Sequence, residues 1–338
     1  MKIISWNTTR ECHLKCKHCY REAGEKEQGE LTTAEGMKLI DEIAAAGFQI
    51  LILSGGEPLL RADIYELTAH AKAKGLRPVF GTTGTTITLD VAQKLKDAGA
   101  SCMGISLDSV DAGIHDEFRQ VSGAWQGAID GMANCQAVGL PFQIHTTVVE
   151  KNYHEFEAIT DLAVAKGARA HHVFFLVPTG RAVDIETEAL REKQYEQLLH
   201  RILKKQQLVD IELKPTCAPQ FMRIARQMGM KMRFSRGCLA GTAYCCVTPN
   251  GDVNPCPYLP VKVGNVRELP FDEIWHNAPM FQEFRSDEFT GKCGVCDHKD
   301  VCSGCRARAY FYTEGDYMAE DPWCLYRRGL THDADSAS

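Results

Sequence analysis

The first 200 residues or so repeat one pattern, in which a helix-like segment ends at a glycine and a short apolar run follows. The repeats are EIAAAGFQILIL, AHAKAKGLRPVF, LKDAGASCMGISL, CQAVGLPFQIHTTVV and AVAKGARAHHVFFLV, and their glycines are Gly47, Gly75, Gly99, Gly139 and Gly167. Glycine is favoured just after a helix, and runs rich in Val, Ile, Leu and Phe are typical of strands covered on both faces. With IISW at residues 3–6 as the first strand, the pattern predicts six βα units and a parallel sheet.

In such a sheet, ligands bind at the carboxyl ends of the strands, and the unusual segments of this chain lie there. The segments are CHLKCKHCY (12–20) after strand one, SGGEP (54–58) after strand two, GTTGT (81–85) after strand three and SLDS (106–109) at the end of strand four. We therefore expect them to form one site. Thr32 and Glu35 fit a capping box, which predicts the start of the first helix.

From about residue 206 the βα pattern fades, and the chain becomes rich in Cys, Pro and Gly. Ten of the 15 cysteines lie from Cys217 onward, and Asn250-Gly251 predicts a β-hairpin. We predict a first domain over residues 1–205 and a smaller domain held by metal over 206–328. The last residues, 329–338, are polar and are predicted to be a disordered tail.

Charge and hydropathy exclude several classes of protein. A net charge of −6 argues against a nucleic-acid-binding protein, and no apolar run approaches the roughly 20 residues that span a bilayer. The segment MKIISWNTTREC lacks the apolar core and cleavage site of a signal peptide. We expect a cytoplasmic protein that binds neither nucleic acid nor membrane, and in that compartment cysteine clusters more often bind metal than form disulfides.

The segment CHLKCKHCY contains Cys12, Cys16 and Cys19 with the spacing C-x3-C-x2-C and no fourth cysteine nearby. Three thiolates can bind three irons of a [4Fe–4S] cluster and leave the fourth iron without a protein ligand. An open position on a metal is where chemistry takes place, whereas closed sites are structural or transfer electrons. The alternative is a zinc site completed by His13 or His18.

The cysteine triad followed by Tyr20 resembles the cluster motif of the radical S-adenosylmethionine (radical SAM) superfamily, and GGEP after the next strand is similar to its SAM-contacting loop. The resemblance covers residues 1 to about 200 and implies a partial (β/α)6 barrel. In this superfamily the open iron chelates the methionine part of SAM. One electron then cleaves SAM to methionine and a 5′-deoxyadenosyl radical, which abstracts a hydrogen atom from the substrate.

The same resemblance implies which residues contact SAM. They are Tyr20, Gly55, Gly56, Glu57, Ser106 and Asp108. The two glycines permit close approach of the backbone, Glu57 would accept a hydrogen bond from the ammonium group, and Ser106 and Asp108 would contact the ribose. The alternative role for Glu57 is that of a carboxylate at a helix N-terminus.

The C-terminal cysteines resemble the SPASM extension of radical SAM enzymes, which carries two auxiliary [4Fe–4S] clusters. The resemblance assigns to an outer cluster Cys293, Cys296, Cys302 and Cys324. It assigns to an inner cluster Cys238, Cys256 and Cys305, with Cys217 as the fourth ligand and Cys245, Cys246 or a substrate group as alternatives. The last cysteine pair has the spacing x2 where the commonest form has x3. Two C-x2-C pairs also fit a zinc ribbon, which is the alternative interpretation.

Several segments resemble SPASM enzymes that act on tetrapyrroles, among them SWNTTRECHLKCKHCYREAG, HHVFFLVPTGRA and RGCLAGTAYCCVTPNGDVNPC. The resemblance implies oxidative decarboxylation of propionate side chains of Fe-coproporphyrin III to vinyl groups, which gives haem b. Each propionate would lose a β-hydrogen, CO₂ and an electron, and an auxiliary cluster would accept that electron. A reductant such as ferredoxin or flavodoxin is the expected protein partner.

Three alternatives remain open at this point. One is a sister enzyme acting on didecarboxysirohaem or haem d1 precursors, and another is a SPASM peptide maturase. The barrel pattern begins almost at Met1, with no leader-peptide-binding domain before it, which disfavours the maturase. The third is an iron–sulfur or zinc protein without catalytic activity, which would have no use for the GGEP loop.

Porphyrin carboxylates are bound well by Arg or Lys, and Arg can bind them in bidentate fashion. Candidate arginines are Arg181 in PTGRA, and Arg223, Arg226, Arg233 and Arg236 in FMRIARQMGMKMRFSRG. The alternative for the second group is a solvated amphipathic helix. His171 and His172 near strand six, and His145 on strand five, are candidates for contact with iron or a propionate, although a buried histidine is often simply hydrogen-bonded in a core.

Overall fold

The computed structural model describes residues 1–327, so the predicted tail over 329–338 lies outside the described residues. The strands of the described part are β1 (Ile3–Thr9), β2 (Ile50–Gly55), β3 (Arg77–Thr82), β4 (Cys102–Ser106), β5 (Phe142–Val148), β6 (Ala170–Phe175), β7 (Glu212–Thr216), β8 (Tyr244–Val247), β9 (Asp252–Asn254) and β10 (Gly264–Asn265). The α-helices are α1 (Thr33–Ala45), α2 (Ile64–Ala73), α3 (Leu89–Asp97), α4 (Ala112–Arg119), α5 (Ala124–Val138), α6 (Phe156–Ala165), α7 (Glu192–Gln206), α8 (Gln220–Gln227), α9 (Phe271–Asn277), α10 (Pro279–Ser286), α11 (Gly291–Gly294) and α12 (Arg306–Tyr312).

One sheet contains all the strands of residues 1–327, in the order β10-β9-β8-β1-β2-β3-β4-β5-β6-β7. From β1 to β7 each neighbouring pair is parallel, and at least one α-helix lies between successive strands of that series. β7 and β10 are the edges of this order, so the sheet is open. The predicted α/β class with a parallel sheet is confirmed.

The sequence pattern predicted six strands in the series, and the structure adds β7 as a seventh. Its segment, ELKPT, contains one large apolar residue, Leu213, flanked by Glu212 and Lys214. Leu213 is buried, whereas the two charged residues are on the other face of the strand and only partly buried. A strand with one polar face does not show the continuous apolar run by which the other strands were identified.

The C-terminal half of the chain extends the same sheet. β8 pairs in parallel with β1, and β9 pairs with β8 as an antiparallel hairpin that turns at Asn250-Gly251, as predicted. Gly251 has a φ of 91°, which explains the glycine at this turn. The sheet therefore runs across the predicted boundary near residue 205, and the division into two domains stays a prediction.

Helix α1 begins as its capping box predicted. The Thr32 side chain accepts a hydrogen bond from the Glu35 backbone N–H at 3.3 Å, and the Glu35 carboxylate accepts one from the Thr32 backbone N–H at 2.8 Å. Gly36 in the same helix lies against β1, because a Cβ there would be 2.5 Å from the ring of Trp6. The helix therefore packs very closely on the strand that leads into the cysteine triad.

The helices are short, and glycine ends many of them. The five glycines predicted at helix ends all have positive φ, from 70° at Gly139 to 93° at Gly99, which confirms their role. The longest described helices, α5 and α7, have 15 residues each. Of the helices in residues 1–327, none combines the length and apolar character needed to cross a membrane.

Candidate active site

The loop between β1 and α1 places Cys12, Cys16 and Cys19 near one another. Burial, with smaller contributions from the charges of Glu57, Cys16 and Cys19, raises the pKa of the Cys12 thiol to about 12. Backbone N–H groups point at the sulfurs, from Leu14 to Cys12 and from Ala23 to Cys19, at 3.4 Å each. Such thiols become thiolates when a metal compensates the charge, and N–H groups directed at sulfur are typical around iron–sulfur clusters.

The remaining thiol of the triad, that of Cys16, contacts a residue that the sequence pattern did not reveal. Nη1 of Arg119, the last residue of α4, lies 3.8 Å from Cys16 Sγ, and its Nε donates to Asp108 at 2.6 Å. Burial by itself would raise the pKa of Asp108, but the Arg119 guanidinium outweighs it and holds that pKa at about 2. A buried, charged ion pair thus lies directly beside the candidate cluster site.

Asp108 was predicted to contact the ribose of SAM. In the structure its second carboxylate oxygen accepts a hydrogen bond from the Thr147 backbone N–H at 2.9 Å, in addition to the bond from Arg119. The visible role of Asp108 is therefore to hold Arg119, and the ribose contact stays a prediction. Ser106, its partner in that prediction, donates to the Thr82 carbonyl oxygen at 3.1 Å and so lies next to the loop after β3.

Gly55 and Gly56 let the loop after β2 lie against the cysteine loop. A Cβ at Gly55 would be 2.4 Å from the Thr9 carbonyl oxygen, and one at Gly56 would be 2.1 Å from the Glu11 carbonyl oxygen. The Glu57 backbone N–H donates to the same Glu11 oxygen at 2.7 Å. The two segments predicted to meet are thus joined backbone to backbone, directly before Cys12.

Glu57 is fully buried, and protein donors surround its carboxylate. One oxygen accepts from the Thr82 hydroxyl at 2.8 Å and the Leu59 N–H at 3.2 Å; the other accepts from the N–H and hydroxyl of Thr83, at 2.8 Å each. Glu57 caps the short 3₁₀ helix Pro58–Leu60, so its alternative role at a helix N-terminus is confirmed. Its contact with SAM stays a prediction, and any bound ammonium would share this site with Thr82 and Thr83.

Tyr20 joins the cysteine loop to the C-terminal half of the chain. Its hydroxyl donates to the Asn7 side chain at 3.1 Å, and its ring lies 5.0 Å from the ring of Tyr258, centroid to centroid. Tyr258 is two residues after Cys256. An aromatic pair therefore lies between the triad and the predicted inner cluster.

Four cysteines from distant parts of the chain come together beyond Tyr258. Burial raises the pKa of Cys256 well above its ordinary value, with further contributions from the thiols of Cys217, Cys305 and Cys238. These are the residues assigned to the inner cluster, with Cys217 in the fourth position. Cys217 also has an unusual φ of 61°, a strained conformation of the kind found at functional sites.

The two cysteines that were alternatives for that fourth position lie elsewhere. Cys245 and Cys246 are successive, fully buried residues of β8. Cys246 accepts a hydrogen bond from the Asn7 side chain at 3.3 Å, and Cys245 is close to Arg285. The structure brings Cys217, rather than either of these cysteines, into the group around Cys256.

A second group of cysteines lines one cavity farther along the chain, and it consists of Cys293, Cys296, Cys302 and Cys324. These are the residues assigned to the outer cluster. Backbone N–H groups of Asp321 and His298 point at Cys293 and Cys296 at 3.4 Å each. Within residues 1–327 no three His, Cys, Asp or Glu side chains are grouped to hold one metal ion. In an iron–sulfur cluster each cysteine binds its own iron. The lack of such a group therefore applies to a single shared ion such as zinc and not to a cluster.

The candidate arginines are already engaged. Arg181 donates to the carbonyl oxygens of Cys16 at 3.0 Å and Ala23 at 2.9 Å, so it braces the triad loop. Arg223 donates to both oxygens of Glu196, at 2.6 and 2.5 Å, beside the outer cysteine cavity. The remaining three form ion pairs: Arg226 with Asp300, Arg233 with Glu212 and Arg236 with Asp287.

The candidate histidines fall into two environments. His171 is fully buried in the core, with its two ring nitrogens within 2.9 Å of the hydroxyls of Thr160 and Thr146. His145 and His172 lie side by side on β5 and β6, with stacked rings 5.2 Å apart. The structure therefore gives His171 a structural environment and places the other two together on the opposite face of the sheet.

Comparison with known proteins agrees with this arrangement. The chain matches the radical SAM superfamily over residues 6–163 and the SPASM iron–sulfur cluster-binding domain over residues 238–306. It is 44% identical to the AdoMet-dependent heme synthase of Methanosarcina barkeri, over 97% of each chain. It is 43% identical to the AdoMet-dependent heme synthase of Nitratidesulfovibrio vulgaris, over 96% of this chain and 92% of that one.

The fold is also similar to a solved structure. The crystal structure of Streptococcus suis SuiB bound to the precursor peptide SuiA aligns with a TM-score of 0.78 at 16% sequence identity. The alignment covers 96% of this chain and 76% of that one. At this identity the likeness concerns the fold and not the substrate.

Proposed function

Because the chain belongs to the radical SAM superfamily and carries a SPASM iron–sulfur domain, we propose that it oxidatively decarboxylates propionate side chains of Fe-coproporphyrin III to vinyl groups and so forms haem b. The observation that supports this most strongly is the 44% identity to an AdoMet-dependent heme synthase over 97% of both chains. An alignment of that extent includes the triad, the GGEP loop and the C-terminal cysteines together.

Cys12, Cys16 and Cys19 would hold the SAM-binding cluster, and their surroundings fit it. The thiols lie together, with N–H groups directed at two of them and a guanidinium at the third. When bound, SAM and its cluster supply the 5′-deoxyadenosyl radical that removes a β-hydrogen, after which the propionate loses CO₂ and one electron to become a vinyl group.

The surrounding residues of the chain position this site. Arg181 binds two carbonyl oxygens of the triad loop, and the glycines of the GGEP loop allow it to pack against the residues before Cys12. Glu57 is held in a single orientation by Thr82, Thr83 and Leu59. A site held this rigidly needs little reorganisation when its ligands bind, which is what precise hydrogen abstraction requires.

We propose further that the chain holds three [4Fe–4S] clusters. The inner cysteine group would hold the cluster next to Tyr258 and would accept the electron released from the substrate, and the cavity lined by the outer group would hold the third. Anaerobic reconstitution should give about twelve irons per chain, measured by iron and sulfide assay with Mössbauer spectra. About four irons, with zinc in the C-terminal part, would contradict this assignment.

The function is tested by anaerobic incubation with SAM, dithionite and Fe-coproporphyrin III, followed by mass spectrometry of the porphyrin. We expect vinyl products, CO₂ and 5′-deoxyadenosine from the wild-type chain, and none of them when Cys12, Cys16 and Cys19 are replaced by Ala. Parallel incubations contain didecarboxysirohaem or a haem d1 precursor. Turnover of one of those compounds, with Fe-coproporphyrin III left unchanged, would refute the proposed substrate.

A further inference from the structure

Polar side chains form a row across four neighbouring strands. The backbone pairing aligns Ser106 of β4 with His145 of β5, His145 with His172 of β6, and His172 with Lys214 of β7. In-register residues of adjacent parallel strands point to the same face of a sheet. The rings of His145 and His172 confirm this, because they stack nearly parallel, at 8°, with centroids 5.2 Å apart.

The row begins at the candidate active site. Ser106 donates to the Thr82 carbonyl oxygen, and the Thr82 hydroxyl in turn holds Glu57. Burial lowers the pKa of His145 to about 4, and the charges of Lys214 and Arg119 lower it as well, which places His145 near both cations. The row thus runs from the residues around the triad towards the β7 edge of the sheet.

Lys214 is a partly buried cation on β7. Its Nζ lies 4.5 Å from the centre of the Phe234 ring, and among residues 1–327 no carboxylate forms an ion pair with it. The acid closest along its strand, Glu212, is already paired with Arg233 at 2.9 Å. Burial lowers the pKa of Lys214, and the charge of Glu212 only partly opposes that effect. A desolvated ammonium with no carboxylate in ion-pair contact is costly, so this position favours an anion from outside the chain.

The neighbours of Lys214 in the row would also accommodate an anion. Burial lowers the pKa of His172 well below its ordinary value, so His172 and His145 are neutral near pH 7, and each imidazole carries one N–H donor. The Gln143 side chain lies 2.7 Å from His145 Nε2, whereas the ring nitrogens of His172 have no hydrogen-bond partner in the described part of the chain.

We propose that Lys214, with His172 beside it, binds a propionate carboxylate of the tetrapyrrole that is not decarboxylated. This inference rests on the proposed function. The candidate arginines fit this role less well, because four of them already form ion pairs and Arg181 donates through Nε and Nη1 to backbone carbonyls, which leaves only its buried Nη2 without a partner in the described residues. A carboxylate held at one end of the row fixes the macrocycle relative to the triad at the other end.

The test is an anaerobic titration of the cluster-loaded protein with Fe-coproporphyrin III, followed by absorption spectroscopy. We expect Lys214→Met to weaken its binding roughly 10- to 100-fold, as loss of a charged hydrogen bond does, and Lys214→Arg to retain most of the affinity. The tetramethyl ester of Fe-coproporphyrin III should bind the wild type and Lys214→Met equally. SAM affinity and cluster content should be unchanged in both variants.

Lys193→Met is the matched control, because Lys193 is an exposed residue of α7 and the substitution is chemically the same. It should bind Fe-coproporphyrin III as the wild type does. If Lys214→Met folds poorly, Lys214→Gln and Lys214→Arg provide the comparison, since they keep a polar side chain and differ in charge.

Four outcomes would overturn the inference. Wild-type affinity in Lys214→Met, while the wild-type chain still forms vinyl products, would refute the role of Lys214 and leave the proposed function standing. Equal losses for the acid and the ester would mean that Lys214 supports packing and not charge recognition, and weakened SAM binding would assign the lysine to SAM. A wild-type chain that binds no Fe-coproporphyrin III would refute the proposed function and this inference together.

Discussion

The guanidinium of Arg119 reaches the thiol of Cys16, with Nη1 3.8 Å from Sγ, although the two residues are 103 positions apart in the chain. Asp108 fixes the guanidinium from the other side through a 2.6 Å bond to Nε. A cation beside a cluster thiolate stabilises the more negative, reduced state, and a carboxylate beside it opposes that effect. This pair therefore predicts opposite changes when either partner is replaced.

Replacement of Arg119 by Met should lower the reduction potential of the SAM-binding cluster by about 60 mV, which corresponds to one charged hydrogen bond of about 1.4 kcal/mol in a one-electron couple. Replacement of Asp108 by Asn should raise that potential. A redox titration followed by electron paramagnetic resonance measures both. Because breaking a buried ion pair is destabilising, thermal melting and iron content must show that each variant is folded and loaded; equal potentials in all three proteins would contradict the prediction.

Loss of Cys256 should separate SAM cleavage from product formation. The Cys256→Ala variant keeps the triad, so dithionite-reduced enzyme should still form 5′-deoxyadenosine, but without a matching yield of vinyl product or CO₂, because the electron from the substrate has no acceptor nearby. Cys217→Ala should behave in the same way, and each variant should lose about four irons.

Cys245→Ala is the control for those variants, because Cys245 is buried on β8 outside the inner group. It should keep the wild-type iron content and coupling. Iron loss in Cys245→Ala, with full iron content in Cys217→Ala, would show that Cys245 and not Cys217 is the fourth ligand of the inner cluster. A Cys256→Ala enzyme that forms haem at the wild-type rate would refute the electron-acceptor role.

Gly56→Ala should destabilise the site through the backbone. The added Cβ would be 2.1 Å from the Glu11 carbonyl oxygen. That oxygen belongs to the backbone and cannot move aside as a flexible side chain can, so the loop before Cys12 must shift. We expect a loss of roughly 1–3 kcal/mol of unfolding free energy, as for other overpacked sites, and weaker SAM binding by isothermal titration. Gly24→Ala, in the cysteine loop between β1 and α1 and with open space around its Cβ, should resemble the wild type.

The buried histidine His171 should make stability depend on pH. Burial lowers its pKa to about 3, whereas an unfolded histidine titrates near 6.5. Between these values the unfolded chain binds a proton that the folded chain does not, so His171 contributes stability above pH 6.5 that is lost as the pH falls. In His171→Gln the slope of unfolding free energy against pH between 6 and 5 should be smaller by about 1.4 kcal/mol per pH unit. Denaturant unfolding at both pH values measures it, and an unchanged slope would show that His171 is not the titrating group.

Local patterns in the sequence were sufficient for most of the fold. The glycines at helix ends, the capping box of Thr32 and Glu35, the apolar runs and the turn at Asn250-Gly251 each depend on a few neighbouring residues, and all were found as predicted. Such signals are short-range, because backbone conformation and burial of alternate residues are set within a few positions of the chain. β7 was missed for the same reason, since its polar face of Glu212 and Lys214 hides the local signal.

The chemical groups of this protein could be identified from the sequence: a cysteine triad without a fourth cysteine nearby, a GGEP loop after the next strand and two further sets of cysteines. Which of these groups meet became visible in the folded chain. It brought Cys217 rather than Cys245 beside Cys256, set Arg119 against Cys16, and aligned Lys214 with His172 and His145. These contacts join residues far apart in the chain, and they depend on strand register and loop packing that no local pattern encodes.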